Sequence, residues 1–89
     1  MNNNLILGEL KITERIDKIK KKKVCTHKDE VDMAKLWEKL GYIRVRKNQY
    51  SVGGIYFWNA AAAFWRLRYK TTSNKNYLRA VKNLRNAAS

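Results

Sequence analysis

No carboxylate side chain occurs after residue 38 of this 89-residue chain. All seven acids, Glu9, Glu14, Asp17, Asp29, Glu30, Asp32 and Glu38, lie before that point, while residues 39–89 hold eleven cations. These are Lys39, Arg44, Arg46, Lys47, Arg66, Arg68, Lys70, Lys75, Arg79, Lys82 and Arg85. Residues 1–38 set nine cations against the seven acids, so most of the formal net charge of +13 belongs to the second stretch. Like charges held on a compact fold repel one another, and residues 39–89 cannot form salt bridges among themselves. The usual counterpart of such a surface is a polyanion, most often nucleic acid.

Length narrows the options further. A chain this short supports one hydrophobic core, so a single domain is expected. Within it, residues 1–23 read as an N-terminal segment with a basic helix, and residues 24–89 as a compact basic helical and hairpin region. With 45% hydrophobic residues the chain has enough apolar material to fold. Its radius of gyration should be about 12 Å, too small for barrels, doubly wound sheets or a deep substrate pocket. The lone Cys25 cannot form an internal disulfide, which points to a reducing cytoplasm. Cys25 and His27 form a C-x-H pair, but there is no other Cys or His to complete a four-ligand zinc site. Neither metal nor cofactor is therefore expected. The apolar run 60–65 is too short to span a bilayer, and Met1 to Asn4 lack the basic start of a signal peptide.

Periodicity predicts the elements. Ile12, Ile16 and Ile19 fall at i, i+4, i+7 and predict a helix over 13–23, N-capped by Thr13, with Lys20 to Lys23 at its negative end. The stretch Leu5 to Leu10 is compatible with strand or helix. A second helix opens on the capping-box pattern of Thr26 and Asp29 and buries Met33, Leu36, Trp37 and Leu40. Gly41 is expected to end it in the left-handed conformation. From Tyr42 the period shortens to two, with Ile43 and Val45 on one side and Arg44 and Arg46 on the other. With Lys47-Asn48-Gln49 as the turn and Gly53-Gly54 as the close, this predicts a short basic β-hairpin.

Residues 55–70 predict a helix, with four consecutive alanines and a stripe of Trp58, Ala62, Trp65 and Tyr69. A polar turn follows, in which Ser73 or Asn74 caps a last helix over 75–87. That helix is expected to bury Tyr77, Val81, Leu84 and Ala88 and to present Lys75, Arg79, Lys82 and Asn86 to solvent. The fold class expected is α-rich α+β, with three to four short helices and one basic β-hairpin.

The run LWEKLGYIRVRKNQYSV, a helix, a glycine end and a basic hairpin in succession, resembles the helix-plus-wing half of a winged-helix domain over residues 28–54. The resemblance implies contact with DNA. Asp29, Glu30 and Asp32 crowd the first turn of the helix that would enter the groove, where they repel phosphate. The wing and the last helix are therefore the contacts expected, and the Thr26–Leu40 helix reads as scaffold unless it docks through Lys35 and Lys39.

Catalysis is disfavoured by elimination. First-turn acids are ordinary helix caps, and Gly54-Ile55-Tyr56 matches only the opening of the GIY-YIG nuclease motif, with no second half or later glutamate. Cys25 and His27, two residues apart, do not face each other as nucleophile and base.

Binding is favoured. The phosphate contacts expected are Arg44, Arg46 and Lys47 on the hairpin, Arg66, Arg68 and Lys70 on the alanine-rich helix, and Lys75, Arg79, Lys82 and Arg85 on the last one. Tyr42, Tyr50, Tyr69 and Tyr77 are candidates to stack on bases or bond phosphate. The function expected is a non-catalytic nucleic-acid-binding protein, DNA rather than RNA, such as a regulator of a mobile element or virus. The alternative is a small basic inhibitor or effector that docks on an acidic protein surface. A weaker third is membrane-surface binding through Lys18 to Lys23. The aromatic helix 55–69 is a candidate homodimer interface if its second side is left open.

Overall fold

The computed structural model describes residues 3–68 and 74–88, all but a few of them in four helices: α1 (Asn3–Lys20), α2 (His27–Arg46), α3 (Tyr50–Arg68) and α4 (Asn74–Ala88). The described residues form no strand. The chain is all-α, so the expected β-hairpin and the winged-helix likeness are both overturned.

The reversal lies in residues 41–54. Gly41 does not stop α2, which runs on to Arg46. No glycine has a positive φ. Gly41 is instead a point of close approach, where a Cβ would stand 2.7 Å from the Phe57 ring of α3. Across the same crossing, a Cβ on Gly53 would meet Val45 Cγ2 at 3.1 Å and the Gly41 carbonyl at 3.2 Å. Gly53 therefore sits inside α3 and closes no hairpin. The alternation of Ile43, Arg44, Val45 and Arg46 spans too few residues to exclude a period of 3.6. Leu36, Leu40 and Ile43 continue at i, i+4, i+7.

The turn itself falls where the sequence places it. Asn48 takes φ 61°. The Asn48 N–H donates to the Val45 carbonyl at 3.0 Å and the Gln49 N–H to the Arg44 carbonyl at 2.8 Å. This is a Schellman closure of α2, with Asn in the left-handed position that glycine more often fills. It joins two helices instead of two strands.

α2 begins as expected. The Asp29 N–H donates to Thr26 Oγ1 at 3.1 Å and the Thr26 N–H to Asp29 Oδ2 at 3.0 Å, a reciprocal capping box. α1 begins earlier than expected. It runs unbroken through Thr13, whose hydroxyl donates back to the Leu10 carbonyl at 2.9 Å, so Thr13 is a helix-interior residue and not a cap.

α3 packs against both α2 and α4, and α1 packs against α2. One core cluster joins Ala34 of α2, Ala63, Phe64 and Leu67 of α3, and Ala80 of α4. The other joins Ile16 and Ile19 of α1 to Leu36 and Leu40, with Ile12, Met33, Trp37 and Tyr56 around them. The result is a slab with principal extents of 41 × 31 × 16 Å. Among the described residues no helix is long and apolar enough to cross a membrane.

α4 departs from its expected orientation. Its buried side chains are Ala80 and Asn83, whereas Tyr77, Leu78 and Leu84 are exposed and Val81 is only half-buried. The helix is rotated so that Arg79 faces α2. The cap expected at Ser73 lies outside the described residues.

Candidate nucleic-acid interface

The acids of α1 and α2 reach across to cations of the second half of the chain. Glu9 on α1 pairs with both Arg44 and Lys47 at the C-terminal end of α2, the Lys47 contact at 2.9 Å. Glu38 on α2 accepts from Arg79 Nη2 at 2.8 Å, Arg79 Nε at 3.0 Å and Asn83 Nδ2 at 2.7 Å. Burial alone would raise the Glu38 carboxyl; the hydrogen bonds from Arg79 and Asn83 outweigh it and hold the group below its ordinary value. The Glu38 hydrogen bond raises Arg79 in turn. The Arg79 guanidinium also lies 4.8 Å from the Phe64 ring centroid.

Three expected phosphate contacts, Arg44, Lys47 and Arg79, are therefore tied into tertiary ion pairs. Lys22 follows suit. Its Nζ reaches Asp29 Oδ1 at 2.9 Å, and that hydrogen bond, followed by the Thr26 N–H, lowers the Asp29 carboxyl to about 2. Part of the lysine run thus fastens the end of α1 to the start of α2. Lys20 rests over the Trp37 ring at 5.2 Å.

What α2 leaves outside is a row of cations. Lys28, Lys35, Lys39 and Arg46 are all exposed and fall at i, i+7, i+11 and i+18, which keeps them on one line of the helix. The row is about 27 Å long at 1.5 Å per residue. It forms the outer ridge of α2, because Ala34, Trp37 and Gly41 turn towards α3 and Leu36 and Leu40 towards α1. Tyr42 lies on the same line. Its ring meets Phe57 edge-on at 4.9 Å, its hydroxyl accepts from Asn86 Nδ2 at 3.2 Å, and Lys82 Nζ stands 6.0 Å from its centroid. That contact brings Lys82 of α4 alongside the ridge. Of the acids beside the row, Asp32 pairs with Arg15 at 3.7 Å.

Of the expected contacts, then, Arg46 and Lys82 come together at this ridge. Arg85 is exposed on α4, and Arg66 is exposed on α3, where it lines a groove with Trp58, Ala62, Trp65 and Leu84. Lys75 is exposed at the start of α4. The Arg68 side chain, Lys70 and Tyr69 lie outside the described residues. Among the tyrosines, Tyr42 is engaged as above, Tyr50 donates to Asn48 Oδ1 at 3.1 Å, and Tyr77 packs on Trp65 with ring centroids 5.7 Å apart.

Of the ridge residues, Lys35 and Lys39 enter the sequence reading only as an alternative docking side of this helix, and Lys28 is not named there as a contact. Their signal is the spacing itself, which connects them to Arg46 only when the helix is carried through Gly41. Comparison with family models, curated proteins and solved structures found no match.

Proposed function

We propose that this chain is a non-catalytic nucleic-acid-binding protein that lays the α2 ridge along the phosphates of duplex DNA. The observation that carries the reading is the line of Lys28, Lys35, Lys39 and Arg46, exposed over about 27 Å, with the nearby Glu9, Asp29, Asp32 and Glu38 each held by a cation elsewhere. A straight row of long cationic side chains suits the phosphate track, which fixes position and carries no sequence information. The row is a little shorter than one duplex turn of about 34 Å. Lys82 extends the track sideways onto α4. The protein acts in a reducing cytoplasm, where exposed Cys25 stays a thiol.

The test is a fluorescence-polarisation titration with a labelled duplex at about 50 mM salt, where phosphate contacts are at their strongest. The triple variant Lys35→Ala, Lys39→Ala, Arg46→Ala should bind at least ~100-fold more weakly, since each contact scales as roughly the −0.9 power of salt. Its thermal unfolding should be unchanged, because all three side chains are exposed. Absence of duplex binding by the unaltered protein under these conditions would sink the reading.

A further inference from the structure

α1 carries a second line of cations. Lys11, Arg15 and Lys18 fall at i, i+4 and i+7, Lys22 follows just past the helix end, and all four are exposed. α1 runs antiparallel to α2, since Lys22 meets Asp29, Arg15 meets Asp32 and Glu9 reaches Lys47 at the far end. The Arg15–Asp32 contact also fixes the side on which the line lies, next to the outer ridge of α2. A groove of about 430 Å³ runs between the two, with Arg15, Lys18 and Lys22 on one wall, Lys28 on the other, and Asp29 and Asp32 among them.

The two carboxylates of the groove are engaged within the protein. Asp29 accepts from Lys22 at 2.9 Å and closes the capping box at Thr26, and Arg15 stands 3.7 Å from Asp32. Lys18 and Lys28, on opposite walls, have no carboxylate partner among the described residues. Lys11 lies between Arg15 and Glu9 along α1, so it comes opposite the part of α2 that holds Lys35 and Lys39. Glu14 is two residues from both Ile12 and Ile16, which pack towards α2, and it therefore turns away from the groove.

Cations set across a cleft from one another repel unless an anion lies between them. A phosphodiester backbone suits this cleft, because it is a linear run of single negative charges and packed helices stand about 8–10 Å apart. A bilayer surface does not suit it. Ile19, the apolar residue of the lining, is only 7% exposed and offers nothing to insert.

We propose that the groove between α1 and α2 seats one phosphate backbone of the duplex, held by Lys11 and Lys18 on one wall and by Lys28, Lys35 and Lys39 on the other. The inference rests on the reading of the α2 ridge as a phosphate track and supplies the second wall of that track. Lys11 and Lys18 stand about 10 Å apart along the helix, so they meet different phosphates.

The test is the duplex titration repeated over a range of salt with the double variant Lys11→Ala, Lys18→Ala, which leaves the ridge intact. It should bind at least ~10-fold more weakly at about 50 mM salt, with a log–log slope shallower than that of the unaltered protein by about 1.8, at roughly −0.9 per phosphate. Its thermal unfolding should be unchanged, because both side chains are exposed. Arg66→Ala, Arg85→Ala removes the same charge from exposed positions of α3 and α4 and should leave the slope as it is. Equal losses from the two double variants would make the attraction diffuse and overturn the groove. If Lys35→Ala, Lys39→Ala, Arg46→Ala weakens binding and Lys11→Ala, Lys18→Ala does not, the groove is overturned and the ridge stands. Absence of duplex binding by the unaltered protein removes ridge and groove together. Co-sedimentation with vesicles of phosphatidylcholine and phosphatidylserine that depends on Lys11 and Lys18 would then assign α1 to a membrane surface.

Discussion

A methyl group added at Gly41 meets the Phe57 ring, and Phe57 is 2% exposed, so the ring has nowhere to swing. Alanine would favour the helix by up to about 1 kcal/mol, but forcing atoms into a packed core costs about 1–3 kcal/mol. Gly41→Ala should therefore lower stability by about 1–2 kcal/mol, read as a reduced urea midpoint. Gly8, also inside a helix, has nothing within 4 Å of a built Cβ. Gly8→Ala should raise stability by about 0.5–1 kcal/mol. The two glycines thus respond with opposite signs, and only their surroundings differ. Asp29 makes a separate prediction. Its carboxyl, held at about 2 by Lys22 and Thr26 against an ordinary 3.8, binds its proton more readily in the unfolded chain. Its contribution is complete above about pH 4 and is lost as pH falls towards about 2. Urea midpoints at pH 6 and pH 3 should fall more for the unaltered protein than for Asp29→Asn.

At the level of elements, the Glu38 cluster explains why α4 shows its less apolar side to the core. An α2 carboxylate that is 9% exposed requires donors, and Arg79 and Asn83 supply them only when α4 is rotated towards it. Glu38→Ala should destabilise the fold by about 2 kcal/mol through loss of charge-assisted hydrogen bonds. Arg79→Lys should recover little of the paired geometry, because an ammonium cannot offer two parallel donors. Both are read by thermal or urea unfolding. This rotation was not legible in the sequence, where Tyr77, Val81 and Leu84 define an evident apolar stripe and the partner that overrides it stands far away in the chain. The start of α2 was legible because its signals are local: the Thr26–Asp29 box and the stripe of Met33, Leu36, Trp37 and Leu40. Ile12, Ile16 and Ile19 were legible for the same reason. The hairpin was misread because Gly41 signals a helix end and a close helix crossing alike, and only the position of Phe57 separates them. That one misreading also divided the candidate site, by cutting Lys28, Lys35 and Lys39 from Arg46.

The whole molecule is a slab only 16 Å through its thin dimension, and α2 turns its cationic ridge away from α3. The charge asymmetry of the sequence is partly spent inside the fold, where Glu9 and Glu38 engage Arg44, Lys47 and Arg79. Of the other described cations of the second half, Lys39, Arg46 and Lys82 lie at the ridge, while Arg66, Lys75 and Arg85 are exposed on α3 and α4. The ridge itself is tested most directly by the salt dependence of duplex affinity. Four ridge cations and Lys82 predict a log–log slope of about −4.5, at roughly −0.9 per phosphate neutralised. The variant Lys35→Ala, Lys39→Ala, Arg46→Ala should flatten that slope to about −2. A slope that the three replacements leave unchanged would contradict the assignment of phosphate contact to α2.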